Sequence, residues 1–120
     1  MRFKKLIVAL LLAAASFGAM AQQGAIILPG GASCGWVVDQ LSRKNEPQGV
    51  ANMSMVTGWI WGYMSRHNLD HAHNPISIPR QAVTLDLYIE KYCRENPLKL
   101  LNDATDQLII DLGGIAKPKK

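Results

Sequence analysis

Within the seven residues from His67 to His73 the chain places three histidines and a carboxylate. His67, Asp70, His71 and His73 are the only cluster of potential metal ligands in the sequence. Two imidazoles four residues apart on one helix face can hold Zn²⁺ or Cu²⁺, so the chemistry depends on whether a helix runs through this stretch. Asn74-Pro75 follows at once and Pro79 closes the segment, and prolines and asparagines break helices and favour turns. The expectation is a loop from His67 to Pro79 carrying solvated histidines. Metal binding by His67, His71 and His73, and protonation of the group in mild acid, stand as alternatives.

The other reactive atoms are the two sulfurs of Cys34 and Cys93. A dyad of Cys93 with His67 would need a free thiolate, and the start of the chain argues against one. Arg2, Lys4 and Lys5 form a basic segment, Leu6 to Gly18 an apolar run, and Ala19-Met20-Ala21 a small-x-small cleavage signature. This is the pattern of a cleavable export signal. The apolar run is shorter than the roughly 20 residues a spanning helix needs, and no cysteine follows the cleavage point to carry a lipid. The expected product is therefore a periplasmic protein beginning at Gln22, with no membrane attachment after cleavage. In that oxidising compartment two lone cysteines pair with each other. The serines lie outside any nucleophile-elbow pattern and the carboxylates are scattered, so the reading is a binding protein, not an enzyme, with no catalytic residue and no cofactor.

Charge narrows the partner. Three of the thirteen basic residues belong to the leader, and Lys117, Lys119 and Lys120 belong to the tail. The body between them carries seven basic against nine acidic groups, which excludes the basic face a nucleic-acid binder needs. The 99 residues after Ala21 suffice for one small domain.

The elements that must position these side chains are helices. Gln22 to Ala32 is Gly-rich, contains Pro29 and lacks any period, so it reads as a flexible arm. A first helix is predicted from Ser33, a good cap, to the stop at Asn45-Glu46-Pro47. A second runs from Gln48 to Asn68 with Met53, Val56, Ile60, Tyr63 and Met64 at helical spacing, and Ala51, Met55, Trp59 and Trp61 widen the stripe enough to predict burial on most sides. Gly58 and Gly62, four apart, predict a face where another backbone comes close. A third helix is predicted over Arg80 to Glu95. Asn96 and Pro97 then suit the cap and first turn of a fourth, which ends at Gly113-Gly114. The organisation is a signal at 1–21, an arm at 22–32, a four-helix all-α domain with one disulfide at 33–114, and a basic tail at 115–120.

Cys34-x-Trp36, the Gly62-Tyr63 pair in a central aromatic helix, and Tyr92-Cys93-Arg94-x-Asn96-Pro97-Leu98 behind a leader together resemble the Rap/Tai immunity proteins of type VI secretion. These share an HdeA-like helical fold with small exported acid-stress chaperones. The similarity spans Ser33 to Leu112. It implies a periplasmic protein, often homodimeric, that binds and blocks a peptidoglycan amidase delivered as a toxin. The most polar insertion between helices then becomes the partner-binding element, and its candidate residues are His67, Asp70, His71, His73 and Asn74. An HdeA-like acid-stress chaperone is the alternative of a different class, and a metal-binding protein a third.

Overall fold

The computed structural model of the chain describes residues 29–115. Their order is a 3₁₀ turn at Pro29–Gly31, then α1 (Cys34–Ser42), α2 (Pro47–Asp70), α3 (Ala82–Glu95) and α4 (Leu101–Asp111). Among the described residues there is no strand, only an isolated antiparallel bridge between Ser33 and Leu100. The predicted signal, residues 22–28 of the arm and 116–120 of the tail lie outside the described residues.

Helix α1 begins where the sequence predicts, because the Ser33 hydroxyl accepts the Trp36 N–H at 3.1 Å and satisfies one of the amides that a helix start leaves open. Cys34, at its first position, is joined to Cys93 on the last turn of α3, with the two Cα atoms 4.7 Å apart. Both cysteines are fully buried, among Val37 of α1, Val56, Ile60 and Met64 of α2, Leu85 and Ile89 of α3, and Leu101, Ala104 and Leu108 of α4. The core is one cluster shared by all four helices.

Several expectations are corrected. Asn96 does not start the fourth helix; its side-chain amide donates back to the Tyr92 carbonyl at 3.0 Å and closes the end of α3. Pro97 lies in the turn that follows. The helix starts late because the segment is drawn into pairing with the start of α1. Cys34 N–H donates to the Lys99 carbonyl at 2.8 Å and Leu101 N–H to the Ala32 carbonyl at 2.9 Å. The cap of α4 comes from Asp103, whose carboxylate accepts the Leu100 N–H at 2.9 Å. That same pairing orders the end of the predicted arm, since Gly30 and Ala32 are buried and Gly30 lies against the Trp59 ring. The third helix also starts later, at Ala82 instead of Arg80.

Helix α2 is buried along one stripe only: Met53, Val56, Thr57, Ile60, Met64 and His67. Ala51 and Met55 face outward and Trp59, Trp61 and Tyr63 are half-buried, so the predicted wide burial does not hold. Gly58 and Gly62 are exposed, and a Cβ at either would meet nothing within 4 Å. The close approach occurs instead at Gly49, where a Cβ would overlap the Arg43 backbone. There the chain reverses between α1 and α2.

This packing sets how stability should respond to loss of the disulfide and to substitution of the helical glycines. Closing a loop of 59 residues should contribute on the order of 4 kcal/mol by the chain-entropy estimate, so reduction or Cys93→Ser should lower the Tm sharply in a calorimetric scan; an unchanged Tm under reductant would contradict the clamp. Gly58→Ala should raise stability by about 0.5–1 kcal/mol in denaturant melts, as in any exposed helix interior, whereas Gly49→Ala should lower it.

Candidate functional site: the histidine turn and the groove beside it

Helix α2 runs through the first part of the predicted loop and ends at Asp70, a correction to the sequence reading. Its last turn is supported by the Arg66–Asp70 ion pair at 3.0 Å, an i,i+4 contact on the exposed side, and by His71 N–H donating to the His67 carbonyl at 2.9 Å. His67 is consequently a core residue, not a solvated one. Its ring is buried at 8% exposure, and its Nε2 accepts the Ile115 N–H at 3.1 Å. The His71 ring stacks on it with centroids 4.4 Å apart and donates through Nδ1 to the His67 carbonyl at 3.0 Å.

The remaining candidates are presented to solvent. Asp70, His73 and Asn74 are exposed, as are Pro75 and Ser77. The segment carrying them is nonetheless held at several points. Asn74 N–H closes a turn on the His71 carbonyl at 2.9 Å. The Asn68 side chain pairs with both backbone groups of Ile76, accepting its N–H at 2.8 Å and donating to its carbonyl at 3.0 Å. Trp61 Nε1 donates to the Pro79 carbonyl at 2.8 Å, and Ile76 is buried under the turn. Side-chain clamps thus replace the missing helical bonds, so the turn is ordered without being regular.

As a metal site the cluster is poorly assembled. Both nitrogens of His67 face partners inside the protein, Nδ1 lying 3.4 Å from Asn68 Oδ1, and Nδ1 of His71 is engaged. No three His, Cys, Asp or Glu side chains converge among the described residues.

A second feature is one that the reading of the residues missed. Leu41, Val50, Met53, Val83 and Leu87, from the end of α1, the first half of α2 and the start of α3, line an open groove of about 510 Å³, and Asp86 and Thr57 stand in its wall. Val50, Val83 and Leu87 are more than half exposed there. Val83 and Leu87 are one helical step apart but lie off the buried stripe of Leu85 and Ile89, and that pattern was the available signal. Burial pushes the Asp86 carboxyl above the usual carboxylate range, with Glu90 adding and the Thr57 hydroxyl bond at 3.3 Å opposing. On the far side of α3, Tyr88 donates to Asp111 at 2.6 Å, and that bond together with Gln107 holds the Asp111 carboxyl below its ordinary value. Tyr63 likewise donates to Asp106 at 2.6 Å. Burial foremost, and the carboxylate partner after it, push the phenols of Tyr63 and Tyr88 far up. These two pairs tie α4 to α2 and to α3.

No family model, curated protein or solved structure matches this chain.

The two aspartates predict opposite pH responses. A raised folded-state value means that ionised Asp86 opposes folding at neutral pH, and that this opposition disappears as pH falls through the raised value. Asp86→Asn should therefore be modestly more stable than the parent at pH 7 and no more stable near pH 3 in parallel thermal melts. Asp111, held low, stabilises above the usual carboxylate range and loses that contribution in acid, so Asp111→Asn should be the less stable protein at pH 7.

Proposed function

We propose that the chain is an exported binding protein of the immunity type, which neutralises a peptidoglycan-cleaving amidase by occupying it with the polar turn between α2 and α3. The resemblance at Cys34, Trp36, Gly62-Tyr63 and Tyr92 to Leu98 supports this reading. So does a buried disulfide in a small helical body. The observation that carries it is the prearrangement of the turn: exposed His73, Asn74, Pro75 and Ser77 stand on backbone already fixed by Asn68 and Trp61. A loop ordered before binding loses little conformational entropy on docking, which is how rigid inhibitors gain affinity. In this reading Asp70, His73 and Asn74 contact the partner while His67 and His71 support them from beneath.

One observation favours the acid-stress chaperone as a second reading. The groove of Val50, Val83 and Leu87 offers apolar surface to an unfolded segment of another protein. Acid opening would enlarge it, and dye binding with retained helicity near pH 2 is the signature of such a state.

The test is binding of the oxidised domain to the product of the reading frame beside its own, together with an assay of peptidoglycan hydrolysis. The expected result is a stable complex and loss of hydrolysis, with the pair His73→Ala and Asn74→Ala weakening binding about tenfold or more at unchanged helicity. No complex and no inhibition, combined with suppression of aggregation at pH 2, would replace this reading with the chaperone.

A further inference from the structure

The groove beside α3 carries more than apolar surface. Val83 and Leu87 lie one helical turn apart on the exposed side of α3, and Leu41, Val50 and Met53 complete the apolar lining. Its volume of about 510 Å³ falls in the range of roughly 300–1,000 Å³ that ligand clefts occupy, which gives room for a few side chains and not for a folded domain. Asp86 stands among these side chains, half-buried. Its one hydrogen bond among the described residues comes from the Thr57 hydroxyl at 3.3 Å, longer than the roughly 2.7–2.8 Å of a good O–H···O bond. It forms no ion pair among the described residues.

We propose that this groove is the docking site for a cationic, aliphatic segment of a partner protein: aliphatic side chains seat on Val50, Met53, Val83 and Leu87, and a lysine or arginine between them pairs with Asp86. The cation supplies what the free protein lacks. A short carboxylate drawn partly out of water among apolar side chains is penalised until a charge partner or strong donors meet it. Burial, with Glu90 adding, accordingly holds the Asp86 carboxyl above its usual range. An asparagine of nearly the same shape would fill the position without that penalty, and positions that set local stability aside are where function is expected.

The other charges that line the groove are matched or solvated. Glu90 is engaged by Arg94, whose Nη2 and Nε reach its Oε1 at 2.8 and 3.1 Å, so that pair is neutral in sum. Lys44 is exposed and forms no ion pair among the described residues, but its ammonium rides on a flexible four-carbon stem and stays in water. The Asp86 side chain is too short to escape in that way. The fixed charge left unmet in the groove is therefore negative, and an acidic or uncharged segment would cover it without pairing it. The groove shares no lining residue with the turn from His71 to Pro79, so failure here and failure of the binding function proposed above are separate results.

The experiment is selection of a random-peptide phage library on the oxidised protein at neutral pH, with prior subtraction on Leu87→Ser. That variant changes a side chain already 64% exposed, and a thermal melt checks that it remains folded. The expected result is enrichment of peptides that carry a lysine or arginine flanked by aliphatic residues. A synthetic peptide of the enriched sequence should lose about tenfold in affinity when its cation is replaced by norleucine, and about tenfold on Asp86→Asn, with little further loss when the two changes are combined, the mark of a direct pair. The proposal is overturned if nothing is enriched beyond the Leu87→Ser control, if the enriched peptides lack a cation, or if Asp86→Asn binds them as tightly as the parent. It is overturned also if a second copy covers the groove, which sedimentation would show as self-association that Leu87→Ser abolishes.

Discussion

The covalent tie between the first residue of α1 and the last turn of α3 is the constraint on which the rest depends. It brings residues 32–34 beside residues 93–101, and the chain uses that proximity immediately. Cys34 donates to Lys99, and Leu101 donates to Ala32, and these two backbone hydrogen bonds, which make the Ser33–Leu100 bridge, flank the disulfide. The direction in which α4 leaves the turn, and the docking of the Pro29–Gly31 turn on Trp59, are set from this point. A domain this small buries a modest share of its surface and has little stability to spare. A clamp at the centre of the core therefore matters more here than it would in a larger protein.

Order passes from the clamp to the far end of α2 through polar contacts. Tyr63 on Asp106 and Tyr88 on Asp111 lock α4 to its neighbours. The end of α4 then reaches back to His67 and Asn74. The turn between α2 and α3 is thus fixed at its start by Asn68, at its finish by Trp61, and from the side by residues 113–115. A surface element held on three sides but exposing His73, Asn74 and Ser77 is suited to recognition.

Much of this was legible in the residues. Ser33 as a cap, the stop before Pro47, the stripe of Met53, Val56, Ile60 and Met64, and Gly113 as a terminator follow from local rules. What local rules missed depended on contacts distant in sequence. Asn96-Pro97 has the composition of a helix start, yet the pairing of residues 32–34 with 99–101 claimed the backbone first. Gly58 and Gly62 look like a packing motif, but a Cβ at either would meet nothing within 4 Å, whereas at Gly49, without a motif, it would overlap the Arg43 backbone. His67 read as solvated because Asn74-Pro75 suggested fraying. Asn68 and Ile115 lie one and 48 residues away, and the more distant contact has no signature in the histidine segment itself. The groove was hidden for a similar reason, since whether Val83 and Leu87 are covered depends on how α1 and α2, distant in sequence, pack beside α3.

The account rests on an oxidised pair of sulfurs in the protein as cells make it. Protein isolated under an acid quench and alkylated before digestion should yield a peptide pair linking Cys34 to Cys93, with neither sulfur modified. Recovery of both cysteines in alkylated form from protein at its native location would contradict the clamp, and with it the fixed turn on which the proposed binding function stands.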